Sequence, residues 1–219
     1  MMRADIRKIE RRALLGLGIV AVSASVPYRL VDAETLGDAS PSAPIRELDG
    51  ALFAAMKAGN RTPFETRYHA LDPVIARVFD LDAVLVASVG LSWPGIPEAE
   101  KGQLSSAFRR YTVSSYVSNF DSYNGQSFEI LPSQPSIGNG EVVVETRLLR
   151  TDASPIKLSY VVRLSPAGWR VVDVLTDGSI SRVAVQRSDF RKLLASGGVP
   201  ALTAGLGRKV ASLSGGMLG

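Results

Sequence analysis

Apolar residues first recur with helical spacing at Leu48, Leu52, Phe53 and Met56, which predicts a helix beginning near Ile45 and stopped by Gly59-Asn60. Thr62-Pro63 supplies a cap and a first-position proline, and Phe64, Tyr68, Leu71, Ile75, Val78 and Phe79 carry the 3.6-residue period onward. Asp72-Pro73 interrupts that stretch, which predicts a kink or two successive helices, the second capped by Asp72. Helix continues from Leu81 to Val89 and ends at Gly90. Pro97-Glu98-Ala99-Glu100 then places proline and acids at a helix start, where the macrodipole favours them. The stripe that follows, Leu104, Phe108, Tyr111, Ser115, Tyr116, Phe120 and Tyr123, is rich in aromatics. As a pattern alone, such a stripe reads first as core packing.

From Gly125 the period becomes alternating. Residues 128–131, 141–150, 156–165 and 169–175 read as four strands, separated by turn-forming stretches at 136–140, 151–152 and 166–168. Short connections make them antiparallel neighbours. In the third strand Ile156, Leu158, Tyr160, Val162 and Leu164 share one face, while Lys157, Ser159 and Arg163 share the other. One side is therefore buried and the other largely wet. Val142, Val144 and Leu148 form a comparable stripe on the second strand. After the fourth, Asp177-Gly178 turns the chain. Ser179 can cap a helix bearing Ile180, Val183, Phe190 and Leu194, Gly197-Gly198 ends it, and Pro200 starts a last one. The fold class is α+β, a curved antiparallel four-stranded sheet with helices on one face.

Composition then narrows the chemistry. The chain has 219 residues, 46% of them hydrophobic and 21% charged, as expected of one folded domain. It holds no cysteine and a single histidine, His69, which excludes thiol nucleophiles, disulfides and the common Cys/His zinc sites. No metal or other cofactor is expected.

The N-terminus reads as an export signal. A basic start with Arg3, Arg7, Lys8, Arg11 and Arg12 leads into the small and apolar run from Ala13 to Val26. That run is short of the roughly 20 apolar residues a spanning helix needs. Val22-Ser23-Ala24 and Val31-Asp32-Ala33 both end in small residues, so the mature chain begins near Ser25 or Glu34; we favour the latter. Arg11-Arg12 before Ala13-Leu14-Leu15 also resembles a twin-arginine signal. Residues 1–33 hold six bases (Arg3, Arg7, Lys8, Arg11, Arg12, Arg29) against Asp5, Glu10 and Asp32, so +3 of the formal +4 leaves with them. A nearly neutral domain has no footprint for nucleic acid despite the pI of 9.5. A flexible leader at 34–44, one domain at 45–213 and a flexible tail at 214–219 complete the expected organisation.

Four stretches, "PFETRYHALDPVIARVFDL" at 63–81, Gly90 to Trp93, "AFRRYTVSSYVSNFDSYNGQSFE" at 107–129 and "GWRVVDVLTDGSISRVAVQRSDF" at 168–190, resemble the MlaC/toluene-tolerance family of periplasmic lipid carriers. "FDSY" at 120–123 and "GSIS" at 178–181 are most similar to its hopanoid-associated HpnM branch. The resemblance implies an NTF2- or cystatin-like arrangement of sheet and helices enclosing an apolar pocket. It also implies a monomeric periplasmic carrier of a hopanoid or phospholipid, working with inner-membrane transporter components and an outer-membrane lipoprotein complex. The inward faces deduced above supply candidate lining: Phe64, Tyr68, Phe108, Tyr111, Tyr116, Val144, Leu158, Tyr160 and Val162. A charge placed at Val162 or Leu158 is expected to expel the lipid while the fold survives.

An acid–base enzyme is the rival class, because similar folds host small isomerases and dehydratases that aim an Asp or His base into the pocket. Asp173 and His69 are the candidates. His69 follows Tyr68, so it falls at the edge of the apolar stripe and reads as a surface residue. Alternation puts Asp173 on the face of Trp169 and Val171. No nucleophile or second base accompanies it, and an unpaired buried carboxylate is costly. Asp173 is therefore expected to be a structural peg, binding an Arg or nearby N–H groups where the chain turns back over the sheet. A third reading, a periplasmic adaptor that binds no ligand, would fill the interior with side chains.

Overall fold

Local signals fix most of the helices. The computed structural model describes residues 40–218, so the expected export signal and the leader up to residue 39 lie outside the described residues. Helix α1 (Ala43–Ala58) starts two residues before Ile45 and ends at Gly59, whose φ of 62° is a conformation that glycine tolerates best. Helix α2 spans Phe64–Val78, with Pro63 rather than Thr62 at its cap position. The Thr62 hydroxyl donates backward to the Ala58 carbonyl at 3.1 Å instead. Asp80 caps α3 (Leu81–Val89) by accepting from Ala83 N at 3.0 Å, and a 3₁₀ turn at Gly90–Gly95 leads to α4 (Glu98–Asn119).

The break expected at Asp72-Pro73 does not occur. Helix α2 runs through Pro73, and Asp72 is not a cap: its two carboxylate oxygens accept from Arg109 Nε and Nη2 of α4, both at 2.7 Å. A proline removes one intrahelical bond without ending α2, and the Asp72 carboxylate is held instead by the paired bonds from α4.

The sheet has six strands rather than four: β1 (Ser127–Ile130), β2 (Ser136–Gly138), β3 (Glu141–Leu149), β4 (Ile156–Ser165), β5 (Gly168–Thr176) and β6 (Ile180–Ser181). The order is β1-β3-β4-β5-β6 with β2 also paired to β3, all antiparallel. The two additional strands are two or three residues long, too short for alternation to appear: β2 falls in the expected turn at 136–140, and β6 takes Ile180, expected on the following helix, into the sheet. Asp177 and Gly178, with φ of 53° and 75°, form the tight turn between β5 and β6.

One irregularity reorients the fourth predicted strand. Val162 pairs with Val171 but Val161 pairs with Asp173, leaving Val172 as the extra residue of a β-bulge. A one-residue slip exchanges the faces of everything beyond it. Asp173 therefore leaves the face of Trp169 and Val171, and Val174 takes its place opposite Tyr160. On the other face Glu145 pairs with Lys157 at 3.0 Å and Glu141 with Arg163, although Val143, Ser159 and Val161 are buried within it.

Helix α5 (Arg182–Leu213) is capped by Ser181, not Ser179, and is broken at Gly197-Gly198 as its sequence predicts. Residues 214–218 follow α5 as turns, and there Leu218 packs on the core and its carbonyl accepts from Arg110.

Buried side chains form two clusters. The first joins α1, α2 and the end of α4 to the concave sheet, through residues such as Leu48, Leu52, Ile75, Val117, Val144, Tyr160, Val162 and Val171. The second joins α3, the start of α4 and α5, around Leu85, Leu104, Phe108, Phe190, Leu202 and Leu206.

Candidate functional site

Between the clusters lies a cavity of about 430 Å³, within the range of small-molecule pockets. Its lining comes from both sides: Phe79, Tyr116, Phe120, Leu158 and Tyr160 belong to or pack on the first cluster, Val84, Phe108, Tyr111 and Val183 on the second. The sheet contributes Leu148, Ile156 and Val174 as well, the last delivered there by the bulge. Aromatic rings run along one wall. Phe79 and Tyr116 lie 5.6 Å apart between centroids, Tyr116 and Phe120 stack at 6.0 Å, and Phe120 meets Phe128 at 6.1 Å.

Five of the nine expected lining residues meet here: Phe108, Tyr111, Tyr116, Leu158 and Tyr160. The other four do not line this cavity. Val144 and Val162 are wholly buried in the first cluster, filling the floor rather than facing space. Tyr68 packs on the same cluster beside Asp72, and burial and that carboxylate push its phenol up. Phe64 lines a separate cleft with Asn60, Arg67 and Met217. Stripe membership puts a residue on the inward side, but whether it meets a neighbour or a void depends on the opposing element. Phe79, Phe120, Leu148 and Val183 carried the same stripe signal as the residues selected and were missed for that reason.

Polar groups in the lining sort by position. Asp173 is the single carboxylate there among the described residues, and both of its oxygens accept hydrogen bonds. Oδ1 accepts from Val174 N at 2.7 Å and Val183 N at 3.1 Å, and Oδ2 accepts from Ser181 Oγ. Ser181 Oγ in turn accepts from Ala184 N at 3.0 Å. The carboxylate thus ties β5 to the first turn of α5, where the helix dipole favours negative charge. Asp173→Asn keeps the shape but loses the charge and one acceptor. It is expected to lower stability by about 1–3 kcal/mol in denaturant unfolding; an unchanged midpoint would contradict the peg.

Burial pushes the phenols of Tyr116 and Tyr160 above their ordinary values, Tyr160 strongly, so both are hydrogen donors rather than bases at neutral pH. His69 is exposed on α2, 3.7 Å from Glu65 and away from the cavity lining. Among the described residues no cluster of His, Cys, Asp and Glu could hold a metal. No helix of these residues is long and apolar enough to cross a membrane.

Comparison with known proteins adds two findings. The family described as MlaC protein matches residues 46–208. Among solved structures, a phospholipid-binding protein from Ralstonia solanacearum, in complex with a phospholipid, superposes with a TM-score of 0.68 at 20% identity, covering 80% of this chain and 99% of that one. At that identity the likeness establishes the fold: helices packed on an antiparallel sheet that does not close.

Proposed function

The chain belongs to the MlaC protein family, and on that premise we propose that it is a lipid-binding carrier whose cavity shields the tails of a phospholipid or hopanoid. The observation that carries this reading is the apolar cavity between the two core clusters, walled by Phe79, Phe108, Tyr116, Phe120, Leu158 and Tyr160. Burying hydrocarbon there is favourable by about 25 cal/mol per Å². The aromatic wall offers flat, rigid surface at small entropic cost.

Carriage rather than catalysis is supported by the state of the polar groups. Asp173 spends its acceptors on β5 and α5, and neither phenol is poised as a base. A periplasmic location, following export by residues 1–33, is part of the same proposal. So is a path between an inner-membrane transporter and an outer-membrane lipoprotein complex.

The test is mass spectrometry of an organic extract from protein purified out of the periplasm. About one lipid per protein is expected, with an intact mass lacking the N-terminal segment. Protein without lipid that also binds none on exposure to vesicles would sink the carrier and leave the adaptor.

A further inference from the structure

Several polar groups in the cavity wall are engaged within the protein. Asp173 accepts from Ser181, Val174 and Val183, Gln186 Oε1 accepts from Ser88 Oγ at 3.0 Å, and Ser115 Oγ donates to the Tyr111 carbonyl at 2.8 Å. Asn119 and Arg182 are exposed, so bulk water serves them. Three interior hydroxyls are different. Thr112 Oγ1 is buried without a hydrogen-bond partner, and among the described residues nothing pairs with the phenol oxygens of Tyr116 and Tyr160.

These three belong to one place. Thr112 and Tyr116 stand one turn apart on the same face of α4, and Tyr160 reaches the same cavity from β4. Tyr116 and Tyr160 are close enough for one phenol to act electrostatically on the other. Asp49 also acts on both through its charge, yet it accepts a hydrogen bond from neither. Burial keeps both phenols protonated at neutral pH, so each is an unused donor. Tyr160 is only 1% exposed, which puts its hydroxyl in the interior rather than at the surface.

We propose that Tyr116 and Tyr160, with Thr112 beside them, form an interior hydrogen-bonding site for an oxygen carried on the hydrocarbon part of the cargo, so that the cavity prefers a chain bearing a hydroxyl or keto group to an unbroken one. This rests on the carrier reading of the same cavity. It adds a requirement that neither an unbroken acyl chain nor a bare ring system meets. A buried donor without an acceptor is costly, and a carbonyl or hydroxyl oxygen, with two lone pairs, can accept from two converging phenols at once. Plain hydrocarbon in the same place leaves both donors unpaired. Sites built to bond an oxygen therefore discriminate against the analogue lacking it more sharply than apolar walls discriminate by size. In a mostly apolar lining, such groups also fix the depth and orientation of the ligand.

The experiment uses stearate, 9-hydroxystearate and 12-hydroxystearate, which share length and headgroup, competing below their micellar concentrations against a fluorescent-tailed lipid on the delipidated protein. At least one hydroxylated chain is expected to bind about tenfold more tightly than stearate, the scale of one hydrogen bond to a buried donor. Tyr116→Phe and Tyr160→Phe are each expected to remove most of that advantage by weakening the hydroxylated chain alone. Stearate should bind as before. The unfolding midpoint of either ligand-free variant should stay level or rise, since no internal bond is lost; a fall of several degrees would show that the fold itself uses the phenols and would overturn the site. Equal or weaker binding of both hydroxylated chains by wild type, or an advantage that persists when both tyrosines are phenylalanine, would overturn the proposal while leaving the carrier intact. Binding of none of the three chains would overturn the carrier reading as well.

Discussion

Asp49→Asn is expected to raise the unfolding midpoint by roughly 10 °C at pH 8 and to leave it almost unchanged at pH 4. Asp49 sits on α1 between Leu48 and Leu52, is 9% exposed, and has no hydrogen-bond partner for Oδ1. Burial pushes its carboxyl up from 3.8 to about 7. The folded chain therefore holds a proton that the unfolded chain releases near pH 4. In that window the folded state binds more protons, so stability falls as pH rises, by about 1.4 kcal/mol per pH unit. The loss reaches about 4 kcal/mol above pH 7, where it becomes constant. Asparagine has nearly the shape of the protonated acid and nothing to ionise. Its advantage should thus be absent at low pH and complete at high pH. Thermal unfolding of both proteins from pH 4 to 8 measures the difference directly, and parallel curves would mean that Asp49 is paired in solution.

The second large effect separates two neighbouring positions on β4. Leu158 is half-buried and lines the cavity. Val162 is fully buried, pairs with Val142 on one side and Val171 on the other, and belongs to the first core cluster. The sequence treats them alike, as inward residues of one strand. Leu158→Glu is expected to give soluble, folded protein with less than a tenth of the bound lipid, because water can enter a vacated cavity and solvate the carboxylate. Val162→Glu is expected to prevent folding, since an unpaired charge in close-packed core costs several kcal/mol and little stability is in reserve. Soluble yield, unfolding midpoint and lipid per protein decide the matter. A folded, lipid-free Val162→Glu would place the void at Val162, contrary to the packing described above.

Asp49 shows how much of the core is legible in the sequence. Ile45, Leu48, Asp49 and Leu52 fall at i, i+3, i+4 and i+7 of α1, so the acid stands on the apolar stripe itself. That signal was present and was overlooked. The lining residues are a different case, because Val144 and Leu148 on β3, or Val162 and Leu158 on β4, repeat the same period with the same chemistry. Nothing local marks which of each pair meets a void.

What the sequence determined by itself was whatever depends on residues a few positions apart. Gly59 and Gly90 end helices, proline and acids open α4, and alternation assigns the faces of β3 and β4. Caps, turns and periods act through hydrogen bonds and side-chain directions within one or two turns, so they survive being read in one dimension. Tertiary structure decided the rest. Arg109 took Asp72 away from its expected cap and α2 stayed continuous; the bulge at Val172 set Val174 opposite Tyr160 and Asp173 opposite Val161; and α4 and α5 set the width of the space above Leu158 and Tyr160. A cavity is the gap left between surfaces brought together from distant parts of the chain, and its position follows from their packing rather than from the pattern of any one of them.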